Sequence, residues 1–81
     1  MIILHNHIKS FMEIVWKENF SIMVKSEIDE VVISANKEGL ESLAKIISDM
    51  AKCTVHGVHI HLDQYNSLND GSIDLVIEKM D

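Results

Sequence analysis

Eighty-one residues with an apolar fraction of 47% make one small domain, residues 1–81, and argue against a disordered chain. Thirteen acidic residues oppose seven basic ones, all lysine, for a net charge of −6. That balance argues against nucleic acid or an anionic membrane as partner and suits a basic protein, because opposite fields steer association.

No run approaches the roughly 18 apolar residues that span a bilayer. Met1-Ile-Ile-Leu4 is too short, and too soon followed by His5, Asn6 and His7, for a signal-peptide core. A cytoplasmic location is the expectation, and the single cysteine, Cys53, agrees with a reducing compartment. A domain this size buries little more than about 60% of its unfolded surface, so self-association would add stability.

In chain order, residues 1–4 read as a short edge strand or an ordered arm. Phe11-Met-Glu-Ile-Val-Trp16 predicts a strand, with Met12, Ile14 and Trp16 on one face and Phe11, Glu13 and Val15 on the other. Trp16 belongs to the core on that pattern. Lys17-Glu-Asn19 breaks the strand. Phe20-Ser-Ile-Met-Val24 reads either as a short strand paired back on the first or as an irregular cover over the core. Residues 26–30 form a polar turn, and Glu30-Val-Val-Ile-Ser-Ala35 carries three consecutive β-branched residues that favour extended backbone.

Asn36 predicts a helix N-cap, with Glu38 complementing the dipole in the first turn. Leu40, Leu43, Ala44, Ile47, Met50 and Ala51 recur at helical spacing and predict the buried stripe of a helix over 37–52. Ile46 flanks that stripe. Glu41, Lys45, Ser48, Asp49 and Lys52 fall on the solvent side.

Gly57-Val-His-Ile-His-Leu-Asp63 and Gly71-Ser-Ile-Asp-Leu-Val-Ile-Glu78 alternate with period two. They predict an antiparallel hairpin with Val58, Ile60, Leu62, Ile73, Leu75 and Ile77 on its apolar face. His59, His61, Asp63, Asp74 and Glu78 lie opposite, and residues 64–71 supply turn-tolerant side chains. The fold expected is α+β in β-β-(β)-α-β-β order. It is a mostly antiparallel sheet of four to five strands with the one amphipathic helix packed on one face. The other face mixes apolar and charged groups, which suits a partner contact or a homodimer.

His59-x-His61-x-Asp63 places three donors on one strand face, about 7 Å apart in successive pairs at the backbone. Zinc would need a further ligand there, from His56, His5, His7 or Asp74, none at a recognised spacing. The carboxylates of Asp63, Asp70, Asp74, Glu78 and Asp81 gather around the hairpin. No Gly-rich phosphate loop, CxxC or GxSxG accompanies them, so the chain reads as a non-enzyme. Tyr65 in the hairpin loop is the aromatic placed to anchor a partner. A metal-binding domain using His59, His61 and Asp63, and a sheet-mediated dimerisation module without ligand, stay open as alternatives.

Val32-Ile-Ser-Ala-Asn-Lys-Glu-Gly-Leu-Glu-Ser-Leu-Ala44, Gly57-Val-His-Ile-His-Leu-Asp63 and Gly71-Ser-Ile-Asp-Leu-Val-Ile77, in this order and spacing, resemble the Immunity protein 32 family of bacterial polymorphic toxin systems. Ala35 stands where related sequences favour glycine. The resemblance implies an α+β cytoplasmic protein that occludes a cognate toxin stoichiometrically, with no cofactor and no catalysis. If it does so through the exposed hairpin region, strand parity assigns the contact to His59, His61, Asp63, Tyr65, Asp70 and Asp74.

Overall fold

A computed structural model of the chain describes the backbone of residues 2–3 and all of residues 13–81. Among these described residues, five strands and one helix follow in the order β1 (Ile2–Ile3), β2 (Ile22–Glu27), β3 (Glu30–Ala35), α1 (Lys37–Lys52), β4 (His59–Leu62) and β5 (Leu75–Glu78). The α+β class and the antiparallel pairing are as expected. The single sheet is not. The strands divide into a three-stranded sheet, β1-β4-β5, and a two-stranded ribbon, β2-β3.

The division has a cause in the connection from β4 to β5. Residues 69–73, not a strand, lie against the outer edge of β2. Asn69 N–H donates to the Ile22 carbonyl at 2.8 Å and Ile73 N–H to the Val24 carbonyl at 3.0 Å. The Val24 N–H donates to Ser72 Oγ at 3.0 Å. Backbone groups that would extend one continuous sheet are therefore satisfied by a loop, which joins the two sheets without a ladder. Ile73 consequently stands outside β5 and is partly exposed.

The ribbon closes through Ile28 and Asp29, the latter in left-handed conformation at φ 63°, a turn that aspartate tolerates. Within the 20–24 stretch, the strand residues from Ile22 on thus pair forward with β3, not back on residues 13–16 of the strand predicted over 11–16. Of that predicted strand, Phe11 and Met12 lie outside the described residues, and residues 13–17 form no strand. Its alternation survives nonetheless. Ile14 and Trp16 pack against the core while Glu13 and Val15 are exposed, and Trp16 stacks on Phe20 with ring centroids 4.7 Å apart. The segment is held by hydrogen bonds to the helix instead of to a strand. Lys17 N–H donates to Ser42 Oγ at 2.9 Å, and that buried hydroxyl donates on to the Glu38 carbonyl at 2.8 Å.

Helix α1 has the predicted bounds, but its buried face is turned. Gly39, Ser42, Leu43, Ile46 and Met50 face inward, and Ile46, placed beside the stripe from sequence, is almost wholly buried. Leu40 and Ile47 are 54% and 49% exposed, and Ala44 and Ala51 are exposed with them. Gly39 decides the rotation. A Cβ at this position would come within 2.7 Å of the Ser21 carbonyl oxygen and 2.9 Å of Ile22 Cγ1, so the helix lies closest to β2 along its glycine.

The core is built from Ile22 and Val24 of the ribbon, the inward helix residues, Cys53, and Val58, Ile60 and Leu62 of the β4 strip. Leu68, in the β4–β5 connection, completes it. Val31 and Ile33 share the ribbon face of Val24 but reach past the core and stay exposed, so β3 contributes less apolar cover than its sequence suggests. The C-terminal carbonyls of α1 are met by Lys79, whose ammonium donates to Cys53 O at 2.6 Å and Ala51 O at 3.2 Å.

Candidate partner-binding face

The β4–β5 register sets His59 opposite Glu78 and His61 opposite Val76, so these four side chains share the sheet face turned away from the core. His59 is half-buried, with Nδ1 3.3 Å from the Gly57 carbonyl, which calls for the proton on Nδ1. His61 Nε2 meets Asp74 Oδ2 at 2.8 Å. Asp74 lies one residue before β5, and its carboxylate is well exposed. Val76, about half exposed, sits between these polar groups. The face is thus a patch of imidazole, carboxylate and aliphatic side chains.

Residues 63–74 connect β4 to β5 as a loop ordered by hydrogen bonds. Asp63 organises its first turn. Its carboxylate accepts from Tyr65 N–H at 2.9 Å and Asn66 N–H at 3.1 Å, and its carbonyl accepts from Ser67 and Leu68 N–H. Asn66 answers by accepting from Asp63 N–H and donating to the His61 carbonyl, both at 3.1 Å. Farther along, Gln64 Oε1 accepts from Gly71 N–H at 3.0 Å, and Gly71 occupies the left-handed region at φ 89°. Leu68 anchors the loop in the core, and Asn69 Nδ2 donates to Ser21 Oγ at 2.8 Å.

The result is a loop held at both ends that leaves Tyr65 88% exposed. Asp70 is exposed on the same loop. Of the six residues assigned to the contact from sequence, the structure brings His61 and Asp74 into direct contact. His59 shares their face, and Tyr65 and Asp70 project from the adjoining loop. Asp63 is different: its carboxylate is engaged by the backbone of its own turn, so it shapes the loop that presents Tyr65. Asn66 and Leu68 were not singled out from sequence. Their signals were an Asp-x-x-Asn spacing that closes reciprocal side-chain turns and a lone leucine within a polar stretch.

The metal alternative needs His59, His61 and Asp63 to converge. Among the described residues no group of three or more histidine, cysteine or acidic side chains is placed to hold a metal ion. Asp63 is held by Tyr65 and Asn66, while His5 and His7 lie outside the described residues. Cys53 is buried at the end of α1. No helix among the described residues is long and apolar enough to cross a membrane.

No curated protein and no solved structure matches this chain. The family model of Immunity protein 32 matches residues 30–80, from the first residue of β3 to just beyond β5. That span takes in α1, the histidine face and the whole of its loop, so the chain belongs to the Immunity protein 32 family.

Proposed function

We propose that this protein is the immunity component of a bacterial polymorphic toxin system, binding a cognate toxin in the cytoplasm and neutralising it by stoichiometric occlusion. The observation that carries this reading is family membership across more than half of the chain. The reading needs no catalysis and no cofactor. The net charge of −6 supports a basic toxin surface as partner, and the absence of arginine agrees with a protein that is not recognising phosphate.

The contact is assigned to the face and loop of His59, His61, Asp63, Tyr65, Asp70 and Asp74. Tyr65 offers a large, exposed aromatic on a loop already ordered by hydrogen bonds, so little conformational freedom is lost when it is buried. Asp70, exposed on the same loop, and Asp74, exposed against His61, supply negative charge, and Val76 on the histidine face supplies an apolar side chain. Asp63 acts through the shape of the loop.

The test is a tagged pull-down from the native cell, followed by co-expression with the recovered protein. Recovery of one stoichiometric partner with a toxic effector domain, whose toxicity is relieved by this protein, supports the reading. In the purified pair, Tyr65→Ala and Asp74→Lys should each weaken binding at least about tenfold, the scale of a central contact. Failure to relieve the toxicity of any co-purifying protein would remove the immunity role. Unchanged affinity in both variants would move the contact elsewhere on the surface.

A further inference from the structure

Among the described residues, the β2–β3 ribbon has one edge occupied and the other open. Directly opposed residues of antiparallel strands either exchange both hydrogen bonds or both turn their N–H and C=O outward. On β2 the outward residues are Ile22 and Val24, whose carbonyls accept from Asn69 and Ile73. Their ladder partners are Ala35 and Ile33. These two, and Val31 by the same alternation, therefore turn their backbone groups to the far edge of β3. Among the described residues nothing bonds to Val31 or Ile33 there, and their side chains are 60% and 44% exposed.

Native proteins protect such edges with lysine, proline or a bulge. Strand Glu30–Ala35 has none of these: it reads Glu-Val-Val-Ile-Ser-Ala, and every residue of it pairs in unbroken register with β2. We propose that this edge is covered by β3 of a second copy of the chain, paired antiparallel about a two-fold axis at Val32. The ribbons of two molecules then form one four-stranded sheet in the order β2-β3-β3-β2.

Sheet geometry selects both the occupant and the register. A two-fold axis perpendicular to the sheet keeps each face continuous, so opposed residues must have the same side-chain parity. Centring on Val32 sets Val31 of one copy opposite Ile33 of the other as hydrogen-bonded pairs, using the groups left open. It sets Val32 against Val32 as a closer, non-hydrogen-bonded pair on the opposite face. Glu30 falls opposite Ser34 of the other copy, so the register adds no opposed carboxylates across the seam to the Glu27–Glu30 pair already present within each ribbon. A register centred on Ile33 would oppose Val31 to Ala35 and Val32 to Ser34, burying less apolar surface. One strand pair covers less than the roughly 1,200–2,000 Å² of a tight interface, so this dimer is reversible and dissociates on dilution.

The experiment is sedimentation equilibrium over a range of concentrations, joined to cysteine cross-linking. The wild-type chain should approach twice the 9.2 kDa of one copy as concentration rises. Val31→Pro removes an outward N–H without touching the β2–β3 bonds, and should stay monomeric with an unchanged circular dichroism spectrum. Val32→Cys should oxidise to a covalent dimer, because the opposed pair lies within disulfide reach, whereas Ser34→Cys should not. A wild-type chain that stays monomeric throughout would overturn the proposal. So would a dimer in which Val32→Cys fails to cross-link, and that arm decides the matter even if the proline variant misfolds. The outcome is independent of toxin binding.

Discussion

Asn36 and Ser21 are tied by two reciprocal hydrogen bonds: Asn36 N–H donates to the Ser21 carbonyl at 3.1 Å, and Ser21 N–H donates to Asn36 Oδ1 at 3.0 Å. The same Oδ1 accepts from Gly39 N–H at 2.8 Å, closing the N-cap of α1, while Nδ2 donates to the Asn19 carbonyl at 2.8 Å. One carboxamide thus starts the helix and fixes the entry to β2. Asn36→Ala should cost about 2–3 kcal/mol, above the ordinary loss of an N-cap of about 1 kcal/mol, because the strand bond is lost with it. Asn36→Asp keeps the acceptor and loses the donor, and should fall between. The midpoints of urea denaturation check the order; an alanine variant as stable as the aspartate one would contradict it.

Gly39 faces the same junction. Alanine there gains about 1 kcal/mol of helix propensity, yet its Cβ would stand 2.7 Å from the Ser21 carbonyl oxygen, a backbone atom. Crowding of that kind costs about 1–3 kcal/mol or more, so Gly39→Ala should lower the thermal midpoint despite its better propensity. A raised midpoint would show that the helix can slide away from β2 at little cost.

Lys79 reaches across from the chain end to the last carbonyls of α1. Lys79→Met retains most of the aliphatic stem but removes the two bonds to Cys53 and Ala51. The expected loss is about 1–2 kcal/mol, that of a charged hydrogen bond at a helix C-terminus. Amide exchange should report faster opening at the C-terminal end of α1 than at its N-terminus. Uniform acceleration along the helix would argue against a local capping role.

Asp63 and Asp74 separate structure from recognition. Asp63→Lys removes the acceptor for Tyr65 and Asn66 N–H and should cost about 1–2 kcal/mol, with loss of order in the loop. Asp74→Lys breaks only an exposed contact with His61, so the fold should keep its stability within about 0.5 kcal/mol. Parallel denaturation of the two variants provides the check. Equal losses would mean that Asp74 supports the loop as well.

Much of this protein follows from local sequence. The bounds of α1, its Asn36 cap and the alternation of β4 are short-range matters, set by propensity, capping and side-chain parity, whereas the turn read over residues 26–30 contracts to Ile28 and Asp29 because Ser26, Glu27 and Glu30 pair in the ribbon. The partition of the strands was decided elsewhere. Asn69, Ser72 and Ile73 are separated from β2 by dozens of residues, and only the folded chain shows that their hydrogen bonds end the sheet there. The rotation of α1 is a tertiary result for the same reason: Leu40 and Ile47 are as apolar as Ile46, and the close approach at Gly39 selects which of them is buried. The six residues assigned to the contact were placed by parity and turn composition, but their division of labour was not. A carboxylate in a loop can point to solvent or to its own backbone, and at Asp63 the geometry of the folded turn, with Leu68 anchored beneath it, selects the backbone.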